Sequence, residues 1–178
     1  MDKLQTLCVM GILDGEANDK VFRLKTRLSE LGIAVDDYEP HITFGIYTGL
    51  DQDKLKQWIK RISEKHKRIS LQINHFGFFP DTRLCFLAPG ANRGLLNLYE
   101  DIHKQYDDCC SDKGCLYSLK QSNWVPHMTI AAIEPHQTAK ILSNLWAHFS
   151  PFSAEMVRLK ISSSDDPVDA GTFDLKIG

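Results

Sequence analysis

Two short runs hold the residues best suited to chemistry: Pro40-His41-Ile42-Thr43-Phe44 and Pro126-His127-Met128-Thr129-Ile130. Each sets a histidine two residues before a threonine, behind a proline and among apolar residues. Side chains on an extended strand alternate between faces with period two. His41 and Thr43 therefore share one face, as do His127 and Thr129, while Ile42, Phe44, Met128 and Ile130 point into a core. Imidazole titrates near neutrality, so two of them can hold opposite protonation states at once. A hydroxyl beside each can donate to a non-bridging oxygen and offset developing charge. Such a set suits cleavage of a phosphodiester without a metal. One histidine takes the proton from the attacking oxygen, the other protonates the departing one, and the rate is bell-shaped in pH.

The elements that must position these pairs repeat along the chain. Strand signals fall at residues 4–13, 40–47, 69–76, 83–87, 126–133, 152–162 and 172–177. Between them, helical periodicity runs through Val21, Leu24, Leu28 and Leu31, then Leu55, Trp58, Ile59 and Ile62. Two more helices carry Leu95, Leu98, Ile102 and Tyr106, and Ile141, Leu142, Leu145 and Trp146. Asn18 or Asp19 is placed to start the first helix and Gly32 to end it. Each half, about 1–79 and 80–178, reads strand, helix, histidine strand, helix, strand, and the second adds a final strand. An insertion in the second half, absorbed by residues 109–122 with Gly114, predicts a long surface loop. Phe79-Pro80-Asp81-Thr82 is a tight junction between the halves. The expected fold is a single α/β (α+β) domain of two pseudo-twofold-related lobes. Each lobe would carry a small, mainly antiparallel sheet with flanking helices, and the two His-x-Thr pairs would face one another across a cleft.

The totals narrow the functional classes. A chain of 178 residues with 43% apolar and 25% charged residues can bury a proper core. A formal charge of −2 argues against a broad basic face for long nucleic acid. The apolar run at residues 7–13 is too short to span a bilayer and lacks the flanks of a signal peptide. A cytoplasmic protein without membrane attachment is expected. Five cysteines, an odd number, do not suggest a disulfide framework. Cys8 and Cys85 read as buried strand residues. Cys109, Cys110 and Cys115, with His103 nearby, can be read as a zinc site, a redox-sensitive loop or plain reduced thiols, and the last is favoured.

Tyr38 and Trp124 each precede a motif histidine by three residues. They either wall the cleft and stack on nucleobases or pack at a strand entrance. Tyr47 lies on the face of His41 by simple alternation, and rim or core packing is expected of it. Arg83 can reach a phosphate or lie solvated at a strand end. His66, His75, His103, His136 and His148 read as surface residues, the basic run 54–68 as a solvated helix face, and Asp165-Asp166-Pro167 as a loop.

Together the two motifs, 86 residues apart, and the duplicated α/β unit resemble the 2H phosphoesterase superfamily. That group includes the 2′-5′ RNA ligases and cyclic nucleotide phosphodiesterases of RNA processing. The resemblance covers nearly the whole chain, including Phe76-Gly77-Phe78-Phe79-Pro80 running into residues 83–87. It implies hydrolysis or reversible formation of 2′-linked phosphodiesters in a small nucleotide or short RNA, with no cofactor and no metal. It also implies acid/base roles for His41 and His127 and phosphate contacts for Thr43 and Thr129. Many bacterial RNA-ligase-like members carry a basic residue shortly after the second threonine. Here Ile130-Ala131-Ala132-Ile133-Glu134 follows, so hydrolysis of a cyclic phosphate or a 2′-5′ bond is favoured over RNA joining, by a monomer. The rivals are a non-catalytic nucleotide- or RNA-binding module and a metal-dependent hydrolase with both histidines as ligands.

Overall fold

A computed structural model describes residues 6–110, 116–163 and 169–178. Cys115, Gly114 and the Asp165-Asp166-Pro167 turn lie outside these. Strand β1 (Thr6–Leu13) leads into α1 (Gly15–Glu30), β2 (His41–Thr48), α2 (Gln52–Lys65) and β3 (Ile69–Phe79). The chain continues through β4 (Leu84–Pro89), α3 (Arg93–His103), β5 (Met128–Ala132), α4 (Thr138–His148), β6 (Phe152–Ser163) and β7 (Asp169–Asp174).

Helix α1 begins a turn earlier than Asn18 or Asp19 would start it. Asp14 is its cap, accepting from Ala17 N–H at 2.9 Å, and the carboxylate also accepts from Glu155 N–H at 2.5 Å. An aspartate serving both the helix and β6 holds the first turn where no apolar periodicity marks it. At the other end Gly32 takes φ +75, with Gly32 N–H donating to Ser29 O and Ile33 N–H to Leu28 O. This paired closure needs a residue that tolerates the left-handed region.

The strands are antiparallel and ordered β2-β1-β6-β3-β4-β5, with β7 also on β6. In place of two small sheets, the strands of the described residues hydrogen-bond into a single sheet of seven. Residues 69–73 of β3 pair with 152–156 of β6, and the remainder of each long strand turns to β4 or β1. The halves of the chain are thereby interleaved. The Pro80-Asp81-Thr82 junction folds β3 back as a hairpin with β4, while β6 returns to lie beside β1. Exchanging β1 with β4, β2 with β5 and β3 with β6 leaves the strand order unchanged.

The two histidine strands are the outer strands of that order. An outer strand leaves one row of backbone groups to be satisfied by something else. Beside β5, Ala132 N–H donates to Ala34 O at 2.9 Å. Beside β2, the His103 ring donates through Nε2 to Phe44 O at 2.8 Å, and Trp124 Nε1–H to Thr43 O at 3.0 Å. Each motif strand is therefore flanked by a segment from the other half of the chain. His103 is fully buried in this role, not on the surface as the sequence suggested. His66 is also largely covered, with its Nε2 against Asp101 at 2.8 Å. The His75, His136 and His148 side chains are exposed.

Candidate active site

Both motif strands carry a β-bulge just past the threonine. On β2 the register passes from Thr43↔Met10 to Gly45↔Val9 and leaves Phe44 unpaired. On β5 it passes from Thr129↔Phe86 to Ala131↔Cys85 and leaves Ile130 unpaired. An extra residue shifts the alternation of everything beyond it. His41 and Thr43 stay half-buried, Phe44 and Gly45 both turn inward, and Ile46 takes the outer face. Tyr47 is thereby sent fully into the core, away from the face that unbroken alternation gives it. Gly45 is required there: a Cβ would lie 2.7 Å from the Tyr47 ring.

The histidines are anchored alike. His41 Nδ1–H donates to Glu39 O at 2.7 Å, and His127 Nδ1–H to Val125 O at 2.7 Å. A carbonyl only accepts, so in each neutral ring the proton sits on Nδ1 and Nε2 carries the lone pair. The segment before His41 is pinned by Lys25, which is buried and donates to Asp36 at 2.7 Å and to Tyr38 O at 3.1 Å.

Their surroundings differ. Burial lowers the pKa of both rings below the ordinary 6.5, and the backbone bond opposes it in each. For His41 the carboxylates of Asp36 and Glu39 also oppose the shift, while Lys25 adds to it. For His127 the charge of His41 adds to it. The His127 ring packs edge-on against Phe79 and Phe86, with centroids at 4.8 and 5.5 Å. Gly77 makes room for this arrangement, since a Cβ there would stand 2.5 Å from the Phe86 ring.

The Thr43 hydroxyl lies beside the Cys8 thiol and the Tyr117 phenol and favours the ionised form of each, against burial. Burial raises these two groups to about 11 and about 12, so both stay protonated near neutrality. Neither contact was foreseen. Cys8 reads as one more apolar strand residue, and Tyr117 sits in the inserted loop with no periodicity to mark it. Tyr117 is held by Tyr99, whose hydroxyl donates to its carbonyl at 2.8 Å.

A cavity of about 640 Å³ opens beside His127, with Phe79, Leu84, Tyr117 and Trp124 among its walls. Another of about 270 Å³ lies beside His41, lined in part by Tyr38, Met10 and Lys160. Trp124 is stacked on Tyr99 with centroids at 4.1 Å and rings 6° apart, and it also packs on Phe44. Its ring is thus engaged by protein on the way to the cavity wall. Tyr38 is 63% exposed at the rim of the smaller cavity. Arg83 lines neither cavity and faces Glu134 at 3.4 Å on the surface. Cys85 and Cys110 are buried, Cys8 and Cys109 half-buried. Among the described residues no three His, Cys, Asp or Glu side chains converge as metal ligands, and no helix is long and apolar enough to cross a membrane.

A family model described as the 2′-5′ RNA ligase superfamily matches residues 16–167. The fold is similar to that in the crystal structure of E. coli LigT in apo form, with a TM-score of 0.63 and 14% identity over 98% of this chain and 96% of that one. TT0787 of Thermus thermophilus gives 0.66 and 15%, over 97% and 98%. E. coli LigT complexed with 3′-AMP gives 0.60 and 14%, over 98% and 96%. No curated protein matches the sequence significantly.

Proposed function

The chain belongs to the 2′-5′ RNA ligase superfamily of 2H phosphoesterases, and from that premise we propose that it is a metal-independent phosphodiesterase acting on 2′,3′-cyclic phosphates or 2′-5′ bonds of nucleotides and short RNA. The observation that carries this reading is the matched anchoring of His41 and His127, each fixed through Nδ1 with Nε2 left for chemistry. The E. coli relative complexed with 3′-AMP supports a nucleotide as the ligand class.

Within this reading His41 is the general acid and His127 the general base. Burial favours the neutral form of both rings; at His41 the carboxylates of Asp36 and Glu39 oppose it, against Lys25, while the phenyl rings around His127 bring no opposing charge. A charged His41 then further depresses protonation of His127. His127 Nε2 takes the proton of the attacking water and His41 Nε2 protonates the departing oxygen. Thr43 and Thr129 donate to the non-bridging oxygens.

The test is conversion of a nucleoside 2′,3′-cyclic phosphate in EDTA by the wild type, His41→Ala and His127→Ala. Chelator-resistant formation of a single monophosphate, lost in both variants, is the expected result. If neither a cyclic phosphate nor a 2′-5′ oligonucleotide turns over while nucleotide still binds, the chain is a binding module and the proposal fails.

A further inference from the structure

The site is nearly symmetric in backbone and not in side chains. Strand register defines equivalent rows across its two ends. On one side Thr129 pairs with Phe86, and Phe86 with Gly77. On the other Thr43 pairs with Met10, and Met10 with Lys160. The next row repeats the contrast: Ala132, Leu84 and Phe79 against Ile46, Cys8 and Ser162. Cross-strand partners share a sheet face. One end of the site thus offers stacked phenyl rings, Phe79 on Phe86 at 4.4 Å, where the other offers an ammonium and a hydroxyl.

The two cavities carry the same contrast. The one beside His127, about 640 Å³, has aromatic and apolar walls, the Asp81 carboxylate and, among its described lining residues, no lysine or arginine. It falls in the range that takes a nucleoside-sized ligand. The one beside His41, about 270 Å³, lies below that range and takes a smaller group, with Met10 and Ile12 beside the polar His41, Lys160 and Ser162. Lys160 is the lysine among its described lining residues, with Ser162 on the same strand face. Lys160 stands two strands from Thr43, about 10 Å at the usual interstrand spacing. It is 27% exposed and held 3.6 Å from Glu39, whose carboxylate competes with any incoming anion.

We propose that the cavity beside His41 is a subsite, keyed by Lys160, for a second phosphate of the substrate, and that the nucleoside occupies the aromatic cavity beside His127. The substrate then binds in one orientation, and the preferred class is a nucleotide bearing a phosphate besides the one cleaved. That second phosphate is either a terminal monoester or the next diester of an RNA chain. This inference rests on the phosphodiesterase reading above.

The experiment compares kcat/KM for adenosine 2′,3′-cyclic phosphate, its 5′-phosphorylated form, and a dinucleotide ending in the same cyclic phosphate. Each is measured with the wild type and with Lys160→Met, which keeps an unbranched apolar stem. One charge-assisted contact corresponds to about tenfold or more. The wild type is expected to favour at least one phosphate-bearing substrate by that factor, less at high salt. Lys160→Met should reduce the preference to within about twofold, and the arm that gains identifies monoester or diester. Equal wild-type rates on all three substrates overturn the proposal. So does a Lys160→Met variant that slows all three alike, which would place Lys160 on the scissile phosphate or in the fold. Should the wild type turn over none of them, the cyclic-phosphate form of the phosphodiesterase reading fails first. The subsite is then read by calorimetry with adenosine 3′,5′-bisphosphate against 3′-AMP. A preference for the bisphosphate that disappears in Lys160→Met sustains it, and equal binding overturns it.

Discussion

The imidazoles of His41 and His127 are anchored through the same atom and solvated differently, and that difference sets what each variant should do. Removing either ring removes a positioned acid or base, so His41→Ala and His127→Ala should each lower kcat by roughly 10²–10⁴-fold. Thr43→Val and Thr129→Val should each cost about 10–10³-fold, the scale of one lost donor to developing charge. Steady-state rates on a cyclic phosphate check both, and full activity in any of the four removes that residue from the mechanism. Both rings are held below 6.5, so the bell in kcat/KM should peak on the acid side of that value. A base controls the acidic limb and an acid the alkaline one. His127→Ala should therefore flatten the acidic limb of its residual activity and His41→Ala the alkaline limb. The reverse pattern would exchange their roles.

At the scale of elements, the bulges and two glycines decide where the site's neighbours go. Gly77 on β3 lies opposite Phe86 on β4, which lies opposite Thr129 on β5. Gly77→Ala would drive a methyl to about 2.5 Å from the Phe86 ring and push it toward His127. The expected result is overpacking of about 1–3 kcal/mol, together with a fall in kcat in protein that still folds. Urea melts and rates on the same preparation separate the two effects. Unchanged activity would show that Phe86 does not set the His127 position. The sequence supplied the strands and helices of this architecture because their apolar periods are long and regular. It did not reveal the bulges at Phe44 and Ile130, since an inserted residue in a strand leaves no mark unless its partner strand is known. Core packing of Tyr47 is legible from its residue type, but the bulge that turns it off the His41 face is not.

Across the whole molecule, burial of imidazoles links stability to pH. His41, His103 and His127 all have folded-state pKa values below the ordinary 6.5, with burial the largest cause. The unfolded chain therefore binds more protons than the folded one as pH drops through that value, and stability should decline from pH 7 toward pH 5. Burial by itself would raise the Asp101 carboxyl, but Lys104, Lys65 and His66 outweigh it and hold the group low. Asp101 thus adds a second loss only at pH below its unfolded value of 3.8. Urea midpoints at pH 7.5 and 5.5 check the histidine effect, and a higher midpoint at the lower pH would contradict it.

What the sequence by itself determined is local. A His-x-Thr pair at the start of each of two strands, four amphipathic helices and an insertion before the second motif all follow from residue type and spacing. What only the tertiary structure decided is which distant groups meet. Trp124 and His103 satisfy the outer backbone of β2, Tyr117 and Cys8 reach Thr43, and phenyl rings from β3 and β4 enclose His127 while Lys160 from β6 faces the His41 cavity. Periodicity reports how a residue sits on its own element. Pairing between strands far apart in the chain, and the interleaving of β3 and β6, depends on interactions that no local pattern encodes.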